Sequence, residues 1–186
     1  MTCKRLKLLF VIPAIISMAM VAGCAGNNEK IVKSGDTIKV DYIGTFPDGI
    51  VFDTSIEKVA KESGVYNEYR TYEPLEFTVG AGQMIKGFDS AVIGMKEGDT
   101  KNITLSPVEA YGEWNPDLVQ PVSLEQLKAN NITPTVNMTL YTSNGMEVRV
   151  VSIDEQNGTV AIDMNNPMAG KTLLFSITVK EIVPAK

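Results

Sequence analysis

Few residues in this sequence can do covalent chemistry. It contains no histidine, and its two cysteines, Cys3 and Cys24, both lie near the N-terminus. Imidazole-based catalytic triads, histidine metal ligands and a thiol nucleophile in the body of the chain are therefore excluded, as is a disulfide framework. No metal site and no cofactor is expected. Any enzymatic step must run without the commonest general base. Lys and Arg number 17 against 22 Asp and Glu, a formal net charge of -5. Phosphate backbones are bound through surplus cations, so no nucleic-acid partner is expected. Asn102, Asn131, Asn137 and Asn157 each open an Asn-x-Thr triplet, the glycosylation pattern of exported proteins and a short motif that chance often supplies.

Cys24 has a context that gives its thiol a use. Lys4, Arg5 and Lys7 open the chain, and an apolar stretch runs from Leu8 to about Ala22. That is the layout of a secretory signal, and it is short for a membrane-spanning helix, which takes about 20 apolar residues. Val21-Ala22-Gly23-Cys24 resembles the lipobox of prokaryotic lipoproteins. The resemblance implies a signal peptide over 1–23, lipid on the Cys24 sulfur, and a lipidated N-terminus and tether over 24–34. The protein would then sit on the extracytoplasmic face of the cell membrane. Removing three cations from a net charge of -5 leaves -8 on the mature chain. An uncleaved anchor helix is the alternative.

The elements that must position any site begin near Thr37. Ile38, Val40 and Tyr42 alternate with Lys39 and Asp41, the period of a half-buried strand. Pro47-Asp48-Gly49 is a turn signal, and Ile50-Val51-Phe52 reads as the next strand. Ile56, Val59 and Ala60 have helical spacing, so 55–70 reads as a short helix and a tyrosine-rich loop bulging from the sheet. Leu75, Phe77 and Val79 mark a further strand, Met84 to Phe88 lead into a short helix ending near Gly94, and Lys101–Leu105 is again strand-like. Leu173, Phe175, Ile177 and Val179 give the last strand one apolar face. The fold class this implies is α+β, a curved antiparallel sheet around a short helix.

Residues 113–162 read as a separate unit set between two strands of that sheet. Ser123 and Gln126 match a capping box, with a short helix to about Ala129. Asn144-Gly145 and Asn157-Gly158 signal hairpins whose two central residues both take positive φ. The flanking runs 138–141, 146–153 and 159–164 are strand-like. The division expected is 35–112 plus 163–183 for the main domain and 113–162 for a small β-rich insert.

Six ordered motifs resemble the FKBP-type peptidyl-prolyl cis/trans isomerases. They are Val40-Asp41-Tyr42-Ile43-Gly44, Asp48 to Ser55 with Phe52-Asp53 inside it, Pro74 to Gly80 with Met84 to Phe88, Gly94 to Asp99, Glu109-Ala110-Tyr111-Gly112, and Thr172 to Phe175. No single motif is decisive, but their order and spacing are specific. The unit following Ala110-Tyr111-Gly112 is similar to the insert-in-flap domain of the SlyD-like branch. Residues 163–172 resemble that branch's return segment, with Asn166 where histidine is usual, and the bulge at 55–70 is like that of longer archaeal members. The tail Val183-Pro184-Ala185-Lys186 lacks the His and Cys of metal-binding relatives.

The resemblance implies a rotamase that forms no covalent intermediate. Peptide-bond rotation is opposed by resonance worth about 18–20 kcal/mol, and before proline the exchange takes tens to hundreds of seconds. The catalyst must bind the twisted amide better than either planar form. By resemblance, Tyr42, Asp53 and Tyr111 are catalytic, with Tyr111 hydrogen-bonding a substrate carbonyl. Phe52, Leu75, Phe77, Met84, Ile85, Phe88 and Phe175 form the apolar cup, and Met168 closes it. Phe88 stands where many relatives carry Trp.

The partners implied are unfolded or proline-containing polypeptides, with the membrane reached through the N-terminal lipid and the protein itself a monomer. By resemblance the insert binds unfolded chains, through an apolar, Met-containing set of Val119, Val122, Leu124, Leu127, Ile132, Met138, Leu140 and Met146 that is alternatively only its small core. The competing reading of the whole is a catalytically inactive, membrane-anchored holdase.

Overall fold

The computed structural model describes residues 29–185; the segment expected to be a signal peptide and Cys24 lie outside them. The fold is α+β, with antiparallel sheets and few helices. The first sheet holds β1 (Thr37–Thr45), β2 (Val51–Thr54), β3 (Leu75–Thr78), β4 (Thr100–Leu105) and β9 (Leu173–Val183) in the order β2-β1-β9-β4, with β3 also on β1. β2 and β3 share one edge of β1. β3 pairs with Thr37–Val40 and β2 with Ile43–Thr45, and Asp41 and Tyr42 lie between the two registers.

Alternation builds the core. Ile38, Val40 and Tyr42 of β1 and Leu173, Phe175, Ile177 and Val179 of β9 are all buried. Each such side chain contributes about 1.5–3 kcal/mol by leaving water. α1 (Glu57–Glu62) follows β2 and buries Ala60. α2 (Lys86–Ala91) lies across the sheet and inserts Phe88, with Val92 just past its end. No helix among the described residues is long and apolar enough to cross a membrane.

The second sheet lies between β4 and β9 in sequence. It runs β5 (Val119–Ser123), β8 (Thr159–Asp163), β7 (Glu147–Asp154) and β6 (Thr139–Tyr141), with α3 (Leu124–Ala129) following β5. Ser123 accepts a hydrogen bond from the Gln126 amide at 3.3 Å and starts α3. Val148, Val150, Val160 and Ile162 form its own core with Leu124. Two chain segments connect the sheets side by side. The Asn115 amide donates to Asn165 Oδ1 and Asn165 Nδ2 returns a bond to the Asn115 carbonyl, both at 2.9 Å.

The structure departs from the sequence reading in three places. β5 was not foreseen; Pro121, a strand breaker in a sheet interior, is tolerated there because β5 is an edge strand, pairing only with β8. Both hairpins exist, but only Gly145 (φ 80°) and Gly158 (φ 61°) take positive φ, not Asn144 or Asn157. The Gly145 amide donates to the Thr142 carbonyl at 2.8 Å, so the loop is longer than a two-residue turn. Finally, the stretch expected as a tether already packs on the body by residue 29. Val32 is buried, its amide donates to Met95 and its carbonyl accepts from Gly94, while Lys30 and Glu29 pair with Glu97 and Lys96.

Candidate active site

Tyr42 sits where β1 passes between β2 and β3. Its backbone is held on that gap by Ser55: the Tyr42 amide donates to Ser55 Oγ at 3.0 Å, and the Ser55 amide donates to the Tyr42 carbonyl at 3.1 Å. The ring packs edge-on against Phe88 at 6.0 Å between centroids, and the Phe175 ring stands 6.4 Å away. Phe175 in turn meets Phe52 and Phe88 nearly perpendicularly, at 5.6 and 5.3 Å. Such edge-to-face pairs fix ring orientation.

These aromatic walls enclose a cavity of about 350 Å³, lined chiefly by Phe52, Leu75, Met84, Ile85, Phe88 and Phe175, with Tyr42, Asp53, Gln83 and Tyr111 adding polar groups. Gly44 makes the packing of the walls feasible. A Cβ there would lie 2.7 Å from Phe52 Cζ and 3.0 Å from Phe175 Cε1.

At the rim, a polar network fixes Asp53. Tyr42 donates its hydroxyl proton to Asp53 Oδ2 at 2.6 Å and accepts from Arg70 Nη2 at 2.9 Å. Arg70 Nη1 donates to Asp53 Oδ1, which also accepts from the Thr54 amide at 2.8 Å. Burial, and then the hydrogen bond to Asp53, push the Tyr42 hydroxyl up to about 12. The Tyr111 hydroxyl is raised too, by burial and then by the charge of Asp53. Burial alone would lower Arg70, but its bonds to Asp53 and Tyr42 outweigh that and hold it above its ordinary value. Tyr111 follows the short 3₁₀ turn Pro107–Glu109, which Ser106 and Glu109 cap reciprocally. Among the described residues its hydroxyl has no hydrogen-bond partner.

The structure brings together Tyr42, Phe52, Asp53, Leu75, Met84, Ile85, Phe88, Tyr111 and Phe175. It leaves two expected residues out. Phe77 lies on the same face of β3 as Leu75 but deeper, buried against Phe88 at 5.9 Å, and does not line the cavity. Met168 packs against the core from outside the cavity, in a turn where its amide donates to Asn166 Oδ1 at 2.8 Å. Two participants were missed. Gln83 lies between recognisable motifs, its Oε1 accepting from the Thr78 amide at 2.8 Å. Arg70 lies in the bulge, whose irregular sequence carries no period; it is the one arginine of a tyrosine-rich loop, and that was the one available signal.

The family model described as FKBP-type peptidyl-prolyl cis-trans isomerase matches residues 28–180. The chain is 40% identical over 156 residues to a short-type peptidyl-prolyl cis-trans isomerase of Methanocaldococcus jannaschii, covering 84% of this chain and 97% of that protein. It is 37% identical over 109 residues to the FKBP-type peptidyl-prolyl cis-trans isomerase SlyD of Treponema pallidum, covering 58% of this chain and 61% of the relative. The SlyD of Helicobacter pylori is 32% identical over 127 residues, 67% of this chain and 69% of the relative. The match spans both sheets and the whole aromatic cavity, and the chain belongs to the FKBP-type peptidyl-prolyl cis-trans isomerases.

Proposed function

We propose that the aromatic cavity rotates Xaa-Pro bonds of exported polypeptides and that the second sheet holds those polypeptides while it does so. The observation that carries the catalytic reading is a Tyr111 hydroxyl with no hydrogen-bond partner among the described residues, over an apolar cavity where Asp53 is tied down by Tyr42 and Arg70. A proline ring fits against Phe52, Phe88 and Phe175. Twisting the preceding amide breaks resonance and weakens its dipole, so the water-poor wall favours the twisted form over the planar ones. Tyr111 donates to a substrate carbonyl, and the immobile Asp53 carboxylate supplies a fixed field beside the rotating bond.

Support for the holding role comes from apolar surface on the insert. Leu118, Val136, Tyr141 and Met146 are exposed. They are mostly not the residues expected from sequence: Leu124 is buried, and Val122, Leu127, Met138 and Leu140 pack around the insert's own core. Exposed apolar groups of this kind suit a sequence-tolerant surface.

The extracytoplasmic setting rests on the signal layout and on Cys24 as lipid acceptor. The test compares the protein with a variant in which a short Gly-Ser linker replaces 113–162. The variant should isomerise a short Xaa-Pro peptide at about the native rate and lose most catalysis of a proline-limited refolding reaction. Equal loss of both activities, or loss of neither, removes the holding role.

A further inference from the structure

A second and larger groove, about 820 Å³, opens beside the catalytic cavity in the gap between β2 and β3. Lys39, Arg70, Thr71, Glu73 and Glu76 line it, and Tyr42 and Leu75 line both spaces, so the two are neighbours. A proline seated in the cavity must send its chain out on both sides, and the groove is one exit. Its outer wall is held in place. Arg70 is fixed by Asp53 and Tyr42, the Tyr72 hydroxyl accepts from the Asn67 amide at 2.9 Å, and Tyr72 stacks on Tyr66 at 5.4 Å. A preformed wall costs little ordering when a chain binds.

The groove lining carries two cations and two carboxylates, and the carboxylates are the less neutralised. Its two cations are already engaged, Arg70 by Asp53 and Lys39 by Glu181 at 2.8 Å. Glu76 reaches Lys39 only at 3.8 Å, and Glu73 forms no ion pair among the described residues. We propose that this groove is a substrate subsite that receives the polypeptide flanking the isomerising proline and selects lysine or arginine there. The proposal rests on the cavity being the isomerase site.

The test measures kcat/KM of the full protein on Xaa-Pro peptides that are neutral, or that carry Lys or Glu within three residues on either side of the Xaa-Pro pair. The same peptides are run with Glu73→Gln/Glu76→Gln and with Thr71→Arg. At low salt, Lys on one flank should be favoured over Glu by about three- to tenfold, the worth of one or two exposed ion pairs. High salt should shrink the preference. The double variant should bring it below about twofold with the neutral peptide unaffected, and Thr71→Arg should shrink it. A native protein indifferent to flanking charge, or a preference that survives in both variants, overturns the subsite. A native protein that leaves even the neutral peptide uncatalysed overturns the cavity assignment itself, and the subsite with it.

Discussion

Tyr111 and Arg70 differ in what their removal should do. The Tyr111 hydroxyl makes no hydrogen bond among the described residues, so Tyr111→Phe should leave stability within about 0.5 kcal/mol of the native value. It should lower kcat/KM on a short peptide about three- to tenfold, the worth of one hydrogen bond. Unchanged turnover removes Tyr111 from the mechanism. Arg70 acts through Asp53. A double-mutant cycle of Arg70→Met with Asp53→Asn should show coupling of about 0.5–1 kcal/mol in transition-state binding, small because both side chains reach solvent. Additive effects contradict the network. The tyrosine hydroxyls also fix a pH response. Tyr42 is raised to about 12 and Tyr111 lies above its ordinary value, so both keep their protons and kcat/KM should be flat from about pH 6 to 9. The native state holds the Tyr42 proton more tightly than the unfolded chain does. That stabilisation is complete below about pH 10 and is lost as pH rises toward about 12, which alkaline unfolding followed by circular dichroism can check. At this scale the sequence was most informative where a residue sits in a spaced motif. Tyr42, Phe52, Asp53 and Tyr111 were legible that way. Arg70 was not, because a bulge imposes no period and reaches the site only through the path of its loop.

Among the elements, β1 bears the tightest constraint. Gly44 faces Phe52 and Phe175 at distances no Cβ can share. Gly44→Ala should cost about 1–3 kcal/mol by overpacking and should lower peptide turnover as Phe52 shifts. Urea unfolding with parallel kinetics reads both; an alanine variant of native stability contradicts the geometry. Strand alternation in β1, β3 and β9 was readable because each has one buried face. The same alternation could not say how deep a residue lies along that face, which is why Phe77 was expected at the cavity and is found beneath it. β5 was not foreseen; its Pro121 is a strand breaker in the interior of a sheet and harmless at an edge. The asparagine-glycine pairs located both hairpins, but loop length, not the dipeptide alone, decides which residue takes the positive φ.

For the whole molecule, the proposed N-terminal lipid would govern where the enzyme can work. The chain is already packed against the first sheet at Glu29 and Lys30, through Lys96, Glu97 and the Ile182 carbonyl. Four residues lie between Cys24 and Glu29, so the five chain steps reach at most about 18 Å. A lipid on Cys24 would therefore hold the isomerase against the membrane rather than on a long leash. Cys24→Ser in the native host should move the protein from the detergent phase to the aqueous phase, while its peptide turnover stays unchanged. Retention in the detergent phase would favour the uncleaved anchor helix. The most direct measurement is isomerisation of a neutral Xaa-Pro tetrapeptide by the native protein beside Tyr111→Phe, with aggregation suppression followed in parallel. Acceleration by the native protein, reduced in the variant at equal suppression of aggregation, is the predicted result. No acceleration by either, with suppression intact, would contradict the catalytic cavity and leave a holdase.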